Sequence, residues 1–305
     1  MKKVFIDGYA GTTGLKIYER LSSRKDIQLL TLTEETRKDL SARSDALNSA
    51  DIAFLCLPDD AAKESVSLIQ NSNTAVIDTS TAHRVSPEWV YGLPELRGQR
   101  EKIAASKRVA NPGCHATGFI VLIAPLVEAG IVKADEVLQC FSLTGYSGGG
   151  KKMIAQYEAE GRDILLDAPR QYGLTQNHKH LPEMVKVCGL KNAPVFCPVV
   201  ADYFAGMEVT VGLHGVSVKA LKECYREYYA QGVVKFTEGD TFGEGGFISA
   251  GAFAGRDDLE ICVYGNDERA LLVSRFDNLG KGASGAAIQN MNILLGVDEM
   301  EGLNV

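Results

Sequence analysis

The sequence predicts an α/β fold with a parallel sheet, followed by a second α+β domain. Three observations predict it. Short, continuously apolar runs alternate with helical patterns over residues 1–100, a glycine-rich loop follows the first run, and longer runs that alternate with period two appear after residue 136. Apolar strands that alternate with helices form parallel sheets covered on both faces. A chain of 305 residues is long enough for two such domains.

In the first region the apolar runs and helical patterns follow one another closely. They predict strands at Lys3–Asp7, Ile27–Thr33, Asp51–Leu57 and Ala75–Asp78, and helices at Leu15–Leu21 and Ala61–Gln70. Pro58-Asp59-Asp60 is a start signal for the second helix.

The pattern of apolar and polar residues changes after Asn111-Pro112-Gly113. The predicted elements are an apolar helix at Ala116–Ala129, strands at Val137–Thr144, Phe204–Leu213, Glu260–Tyr264 and Leu271–Ser274, a helix at Val218–Ala230 and a helical tail at Gly282–Leu295. Met207–His214 alternates with period two, which is typical of a half-exposed antiparallel strand. We expect a first domain at 1–113, a second at 114–281, and a tail, 282–305, that packs back on the first.

Composition limits the partners. The net charge is −7 and no basic stripe appears, which disfavours nucleic acid and anionic membranes. No apolar run approaches the roughly 20 residues of a membrane span, and Asp7 comes too early for a signal peptide. The seven cysteines include no Cys-x-x-Cys pair, which disfavours disulfides and structural zinc. We expect a cytoplasmic protein that begins at Met1 and acts on a small molecule.

Gly8, Gly11 and Gly14 form a loop between the first strand and the first helix. Glycines at a helix N-terminus let a pyrophosphate approach unpaired N–H groups, and the spacing is a variant of the dinucleotide fingerprint. Thr12 and Thr13 lie within this loop. The alternative interpretation is a simple tight turn. We expect a Rossmann dinucleotide site.

The choice between NAD and NADP depends on the segment after the second strand. Glu34 and Glu35 suit the 2′-hydroxyl of NAD, whereas Arg37, Lys38 and the hydroxyl of Thr33 suit the 2′-phosphate of NADP. The sequence favours NADP. A solvated charged loop is the alternative for several of these residues.

Cys114 is the candidate nucleophile. It follows Pro112-Gly113 at the start of an apolar helix, where the helix dipole favours a thiolate, the form that attacks an acyl carbon. His178 and His180 are candidate proton partners, because alternate residues of an extended segment face the same side. A metal site is disfavoured, since two histidines have no third ligand nearby.

Two further glycine-rich segments carry candidate residues. Gly145–Lys152 ends a strand, and its N–H groups, Ser147, Lys151 and Lys152 are candidates for holding a phosphate. A flexible interdomain turn is the alternative. The segment from Asn278 to Asn290 opens a helix, and it either approaches the nicotinamide or only caps that helix.

The sequence resembles the short form of the N-acetyl-gamma-glutamyl-phosphate reductases over essentially its whole length, and aspartate-semialdehyde dehydrogenases more distantly. The motifs are the three-glycine loop, Asp78–Arg84, Gly92-Leu-Pro-Glu95-Leu, Asn111–Gly118, Ser147–Lys151, His178-Lys-His180-Leu-Pro-Glu183 and Gly280–Gly285. His115 stands where the longer form usually has Tyr or Phe.

The resemblance implies a Rossmann domain, a carboxy-terminal domain like that of glyceraldehyde-3-phosphate dehydrogenase, NADPH, a homodimer or homotetramer, and a cysteine thioester in arginine biosynthesis. It makes Cys114 the nucleophile and one of two histidines the acid/base; we expect His180, with His178 near the phosphate, and the reverse stays open. The expected cofactor-binding residues are Gly8, Gly11, Thr12, Thr13, Gly14, Thr33, Arg37, Lys38, Ser80, Gly148 and Asn278, and the substrate-binding residues are Arg84, Asn111, Ser147, Lys151 and Glu183.

Two alternatives remain. A related acyl-phosphate reductase, such as aspartate-semialdehyde dehydrogenase or the amino-adipyl counterpart, would share Cys114. A non-catalytic NADP-sensing protein would bind the cofactor without a reactive cysteine.

Overall fold

The computed structural model describes residues 1–239 and 243–305. The chain forms two compact units. The first unit contains Met1–Pro94, Gly98–Gly113 and Ala283–Leu303, and the second unit contains Glu95–Arg97, Cys114–Gly282 and Asn304–Val305. The predicted boundaries put Glu95–Arg97 in the first domain and put Gly282 and Asn304–Val305 in the terminal segment, whereas all of these residues lie in the second unit. They belong to the second unit because Glu95 pairs with Lys281 and the Asn304 N–H donates to Asp257.

The first unit is built on a six-stranded parallel sheet. Its strands β1 (Lys2–Asp7), β2 (Ile27–Leu30), β3 (Ile52–Leu55), β4 (Ala75–Asp78), β5 (Val90–Tyr91) and β6 (Arg108–Ala110) lie in the order β2-β1-β3-β4-β6-β5. Val4 pairs with Ile52 of β3, and Ile52 pairs with Ala75 of β4. Every residue of β3 and β4 is buried, as strands covered on both faces require.

Helices cover both faces of this sheet. They are α1 (Thr12–Leu21), α2 (Leu40–Ser49), α3 (Asp59–Ser67), α4 (Gln99–Ala104) and the C-terminal α9 (Gly285–Leu295). Val4 packs in one cluster with Ile17 of α1 and Met291 of α9, whereas Phe5 packs in another with Leu47 of α2. Successive residues of a strand point to opposite faces, so the two clusters are the two faces of the sheet. The predicted parallel α/β fold is confirmed.

The second unit is built on a mixed sheet. Over its described residues, strands β7 (Gln139–Gly145), β8 (Arg170–Gln171), β9 (Val195–Ala201), β10 (Met207–His214), β11 (Val234–Phe236), β12 (Leu259–Gly265) and β13 (Arg269–Phe276) lie in the order β11-β12-β13-β10-β7-β9-β8. The three central neighbours β13, β10 and β7 are antiparallel, and β7 pairs with β9 in parallel. The remaining helices are α5 (Cys114–Glu128), α6 (Gly150–Tyr157), α7 (Leu181–Cys188) and α8 (Val218–Tyr228).

Helix α5 contains Pro125 within its apolar stretch. Proline has no N–H to donate to the carbonyl four residues earlier, which here belongs to Val121. The hydroxyl of Tyr229, just after α8, donates to that carbonyl oxygen at 2.8 Å. The neighbouring helix thus replaces the hydrogen bond that the proline removes, and α5 continues to Glu128.

Some predicted boundaries are wrong. The strand predicted at Ile27–Thr33 ends at Leu30, and the one predicted at Phe204–Leu213 begins at Met207. Phe204 instead lies in a turn, where its carbonyl accepts the N–H of Ser147. The helices α2, α4, α6 and α7 and the strands β5, β6, β8, β9 and β11 were not predicted.

Candidate active site

The loop between β1 and α1 and the first turn of α1 each contain a glycine at which there is no room for a side chain. Gly8 has a φ of +86°, and a Cβ there would lie 2.4 Å from a backbone oxygen of the loop after β3. A Cβ on Gly14 would lie 2.5 Å from the carbonyl oxygen of Gly8. Gly11 is the N-cap of α1 and supplies no side-chain cap, so Thr12 and Thr13 begin a helix whose N–H groups suit an anion.

A cavity of about 230 Å³ lies beside this loop. Its lining includes Asp7, Gly8, Tyr9, Ala10, Arg37, Lys38 and Arg43. Arg43 and Asp7 form a buried ion pair at 3.1 Å, so they neutralise each other. Lys38 adds a cation to the wall, and Arg37 adds a guanidinium group that pairs with Glu34 at 2.6 Å. A glycine cradle at a helix N-terminus, with Arg37 and Lys38 beside it, fits the pyrophosphate and the 2′-phosphate of NADP.

Glu34, which would favour NAD, is engaged within its own loop. Its carboxylate accepts hydrogen bonds from Arg37 Nε at 2.6 Å and from the Tyr9 hydroxyl at 3.1 Å. The Arg37 bond, followed by the Tyr9 bond, lowers the pKa of Glu34. Thr33 lies in the turn after β2 rather than in the strand, with its hydroxyl 3.0 Å from that of Thr36.

Ser80 belongs to a hydrogen-bonded turn at the carboxyl end of β4. The buried carboxylate of Asp78 accepts from the Ser80 N–H at 2.9 Å and from its hydroxyl at 2.7 Å. His83 Nδ1 lies 2.6 Å from the same carboxylate, and its ring stacks on Trp89. Ser80 is thus fixed at the carboxyl edge of the sheet, where dinucleotides bind in such folds. Its role in cofactor binding stays a prediction.

Arg84 and Asn111 bind other backbone segments of the first unit. Arg84 donates from Nε to the Asn111 carbonyl and from Nη2 to the Thr79 carbonyl, each at 3.0 Å. The Asn111 side chain donates to the carbonyl of Ala283 at 3.0 Å. These bonds give both side chains a structural role, and their predicted contact with substrate stays a prediction.

Cys114 is the first residue of α5 and is partly exposed. Burial raises the pKa of Cys140 and Cys188, and raises that of Cys56 to about 12, which makes these thiols inert. At Cys114 the helix N-terminus instead favours the thiolate. A Cβ on Gly282 would lie only 2.9 Å from the Cβ of Cys114, so the backbone of Gly282 lies directly against it.

His115 is buried and has a hydrogen-bond partner at each ring nitrogen. Nδ1 lies 2.7 Å from the hydroxyl of Ser142, and Nε2 lies 2.6 Å from that of Tyr172. Burial, with smaller contributions from His178 and Lys179, lowers the pKa of His115 to about 3. The imidazole is therefore neutral at physiological pH.

His178 and His180 come together, but in a turn before α7 rather than in the predicted extended segment. His180 is the N-cap of α7 and has helical φ and ψ angles. The two ring centroids are 4.7 Å apart and nearly perpendicular, and both lie within 5.7 Å of His115. The His180 N–H donates to His178 Nδ1 at 3.2 Å. A neutral His178 therefore carries its proton on Nε2.

The second glycine run is not an interdomain turn, because it lies wholly within the second unit. Tyr146–Gly149 forms a 3₁₀ turn that leads into α6, where Lys151 is exposed. The buried Ser147 hydroxyl accepts from Asn278 Nδ2 at 2.9 Å, and a Cβ on Gly148 would lie 3.3 Å from the same nitrogen. Asn278 therefore binds the glycine run.

Three residues near these elements were not predicted as members of a site. Tyr172 contacts His115, and a Cys114 thiolate raises the pKa of Tyr172 after the larger effect of burial. Lys281 Nζ lies 2.8 Å from Glu95 Oε1, and both side chains are fully buried. The predicted Glu183 is buried in the first turn of α7.

The two units correspond to two domain families. Residues 3–106 match the family model described as the semialdehyde dehydrogenase NAD binding domain. Residues 114–278 match the model described as the semialdehyde dehydrogenase dimerisation domain. The chain belongs to the semialdehyde dehydrogenase family.

Full-length relatives within this family share one name. The chain is 44% identical to N-acetyl-gamma-glutamyl-phosphate reductase 2 of Nostoc sp. (strain PCC 7120 / SAG 25.82 / UTEX 2576), over 99% of each chain. It is 46% identical to the protein of that name from Pseudomonas putida, over 98% of each chain. The resemblance predicted from the sequence is confirmed.

Solved structures of the semialdehyde dehydrogenase family share the fold. Aspartate semialdehyde dehydrogenase II from Vibrio cholerae superposes with a TM-score of 0.73 at 17% identity, over 97% of this chain and 99% of that one. In residues 1–239 and 243–305, no group of three or more His, Cys, Asp or Glu side chains could hold a metal ion. Of the helices that the structure describes, none has both the length and the apolar character to cross a membrane.

Proposed function

We propose that this semialdehyde dehydrogenase-family chain reduces N-acetyl-L-glutamyl 5-phosphate to N-acetyl-L-glutamate 5-semialdehyde and phosphate, with NADPH, as a step of arginine biosynthesis. The observation that carries the proposal is a partly exposed thiol at a helix N-terminus, in a unit that also gathers three imidazoles. The name shared by full-length relatives supports the substrate. The cavity walled by Arg37 and Lys38 supports NADP.

Acylation is the first step. The Cys114 thiolate attacks the acyl carbon, a C–S bond forms, and the acyl C–O bond breaks so that phosphate leaves with the electron pair. The N–H groups at the start of α5 stabilise the oxyanion of the tetrahedral intermediate, by about 3–4 kcal/mol per donor in comparable sites. His178, with its proton on Nε2, fits a contact with a phosphate oxygen.

Reduction of the thioester follows. NADPH, when bound, supplies the hydride that this step needs. His180, protonated, stabilises the hemithioacetal oxygen that forms on Cys114. The C–S bond then breaks, the aldehyde leaves, and the thiolate is restored. The alternative is that His178 and His180 exchange these roles. The pH dependence of kcat, measured in H178N and in H180N, distinguishes the two assignments.

The remaining predicted contacts with substrate and cofactor are also proposals. Ser147, Lys151 and Glu183 are proposed for the substrate, together with Arg84 and Asn111. Gly148, Asn278 and Ser80 are proposed to contact the cofactor. The variant K151A, which truncates an exposed side chain, should have a higher KM for the acyl phosphate and an unchanged KM for NADPH.

We propose a homodimer formed through the outer face of the mixed sheet, with a homotetramer requiring a second interface. Phe141, Val195 and Leu271 are at least 40% exposed, and the strand register places them on one face. The match to a dimerisation domain supports this assembly. F141E should lower the mass measured by light scattering to that of a monomer.

A cytoplasmic location is supported by seven cysteines that are all free thiols.

Steady-state reduction of NADP tests the activity. N-acetylglutamate semialdehyde with phosphate should give faster turnover than aspartate semialdehyde or the amino-adipyl semialdehyde. Turnover with NADP should be faster than turnover with NAD. C114S should keep NADPH binding, measured by fluorescence, and lose turnover. Faster turnover with another semialdehyde would identify a related reductase instead. NADPH binding without turnover, and without alkylation of Cys114 by iodoacetamide, would favour a cofactor sensor.

A further inference from the structure

The Lys281–Glu95 pair is a salt bridge with no solvent exposure on either side chain. Each partner lies in a glycine-containing motif, Gly92–Leu96 and Gly280–Gly285, to which the proposed chemistry gives no role. Removing an ammonium and a carboxylate from water is costly, and such a pair often adds less stability than apolar side chains of the same volume. Stability alone therefore gives a poor account of this pair.

The backbone around Lys281 is closely packed on both sides. A Cβ on Gly280 would lie 2.0 Å from the carbonyl oxygen of Arg256, and one on Gly282 would lie 2.9 Å from the Cβ of Cys114. The Gly282 N–H donates to the carbonyl of Asp277 at 2.9 Å, which closes the turn. The turn that carries the Lys281 side chain therefore packs directly against Cys114.

The same turn also holds the second glycine run. Asn278 donates to the buried hydroxyl of Ser147 and accepts the N–H of Gly206 at 2.9 Å. A shift of the turn would therefore change the backbone beside Cys114 and the position of Ser147 together.

We propose that Glu95 and Lys281 are positioning residues of the reductase: their ion pair fixes the turn at residues 277–282, and the turn holds Cys114 and Ser147 in the geometry that acylation needs. The inference rests on the proposed role of Cys114. Displacement of reacting groups by about 1 Å costs up to about 100-fold in rate, so loss of the pair should act on kcat.

The double variant E95L/K281M tests this, because it removes both charges of the pair together. It should retain the wild-type melting temperature within a few degrees, lower kcat about 10- to 100-fold, and slow alkylation of Cys114 by iodoacetamide. If E95L/K281M is insoluble, the test is made with E95Q/K281M, whose side chains are closer in size to the original ones. That variant should also lower kcat and slow the alkylation of Cys114.

R100M/E299L is the control for the loss of an ion pair away from the turn. Arg100 and Glu299 form an ion pair of the same 2.8 Å separation within the first unit, and its removal should leave kcat and the alkylation rate unchanged. A wild-type kcat and alkylation rate in a folded E95L/K281M would overturn the positioning role. A wild-type enzyme that turns over while its Cys114 resists alkylation, or a C114S variant that keeps turnover, would instead overturn the proposed function.

Discussion

In the second unit, Nε2 of His115 lies 2.6 Å from the hydroxyl oxygen of Tyr172. His115 directly follows the proposed nucleophile, Cys114, in the sequence. His115 is held neutral there, because burial lowers its pKa to about 3. An unfolded chain binds that proton near pH 6.5. The stability that is linked to this lowered pKa is therefore fully present above pH 6.5, and it is lost as the pH falls towards 3.

H115F should consequently unfold with a weaker pH dependence than the wild type. Between pH 7.5 and pH 5 the wild type should lose about 2 kcal/mol through His115, from 1.36 kcal/mol per pH unit below pH 6.5. Urea unfolding at both pH values measures the difference. Equal losses in the wild type and in H115F would mean that His115 is not the group responsible.

Gly118→Ala should destabilise the second unit. A Cβ on Gly118, in α5, would lie 2.4 Å from Val209 Cγ2 and 2.8 Å from a ring carbon of Phe276. Overpacking of this kind typically costs about 1–3 kcal/mol. Gly212→Ala is the control, because a Cβ there meets nothing within 4 Å. Urea unfolding should separate the two variants, and equal midpoints would contradict the close packing of α5 on β10.

The variant R37A/K38A should lose its preference for NADPH. A charge-assisted hydrogen bond to a phosphate contributes about 1.5–3 kcal/mol, so KM for NADPH should rise at least about tenfold while KM for NADH stays unchanged. K16A, which removes an exposed lysine of α1, is the control. An equal rise for both cofactors would place the two cations away from the 2′-phosphate.

Tyr229 and Pro125 should be energetically coupled through the Val121 carbonyl. Y229F leaves that buried oxygen without its donor and should cost about 1–3 kcal/mol. In a P125A background the new N–H can reach Val121, so the cost should fall. Tyr225, which donates to the next carbonyl, of Leu122, is the control, since Y225F should cost the same in both backgrounds. A double-mutant cycle from urea unfolding measures the coupling, and additive costs would show that Pro125 is irrelevant.

Local patterns predicted the parts of the fold that local chemistry determines. The strand that ends at Asp7, the glycine loop after it and the helix that continues to Leu21 follow from apolar runs and the freedom of Gly8. Helix α2 was missed because its sequence, Leu40–Ser49, is mostly polar and buries few residues. Helix α7 was missed because Pro182 follows two histidines that favoured an extended segment.

The candidate site residues were chosen by residue type, and those of their contacts that are distant in sequence were missed. The environment of Cys114 depends on the adjacent Pro-Gly turn and helix start, which are visible locally. Lys281 and Glu95 are 186 residues apart, and neither periodicity nor spacing reports such a pair. The partner of His115 was missed for the same reason, because Tyr172 lies 57 residues away.

The most direct test of the proposed catalysis is intact-mass spectrometry of the protein after acid quench, with N-acetylglutamyl phosphate supplied and NADPH left out. A single N-acetylglutamyl adduct that hydroxylamine removes should appear in the intact mass and should be absent from C114S. Peptide masses after digestion should place it on the peptide that contains Cys114. A protein that turns over with NADPH yet never carries this adduct, or that carries it on another residue, would contradict the thioester mechanism.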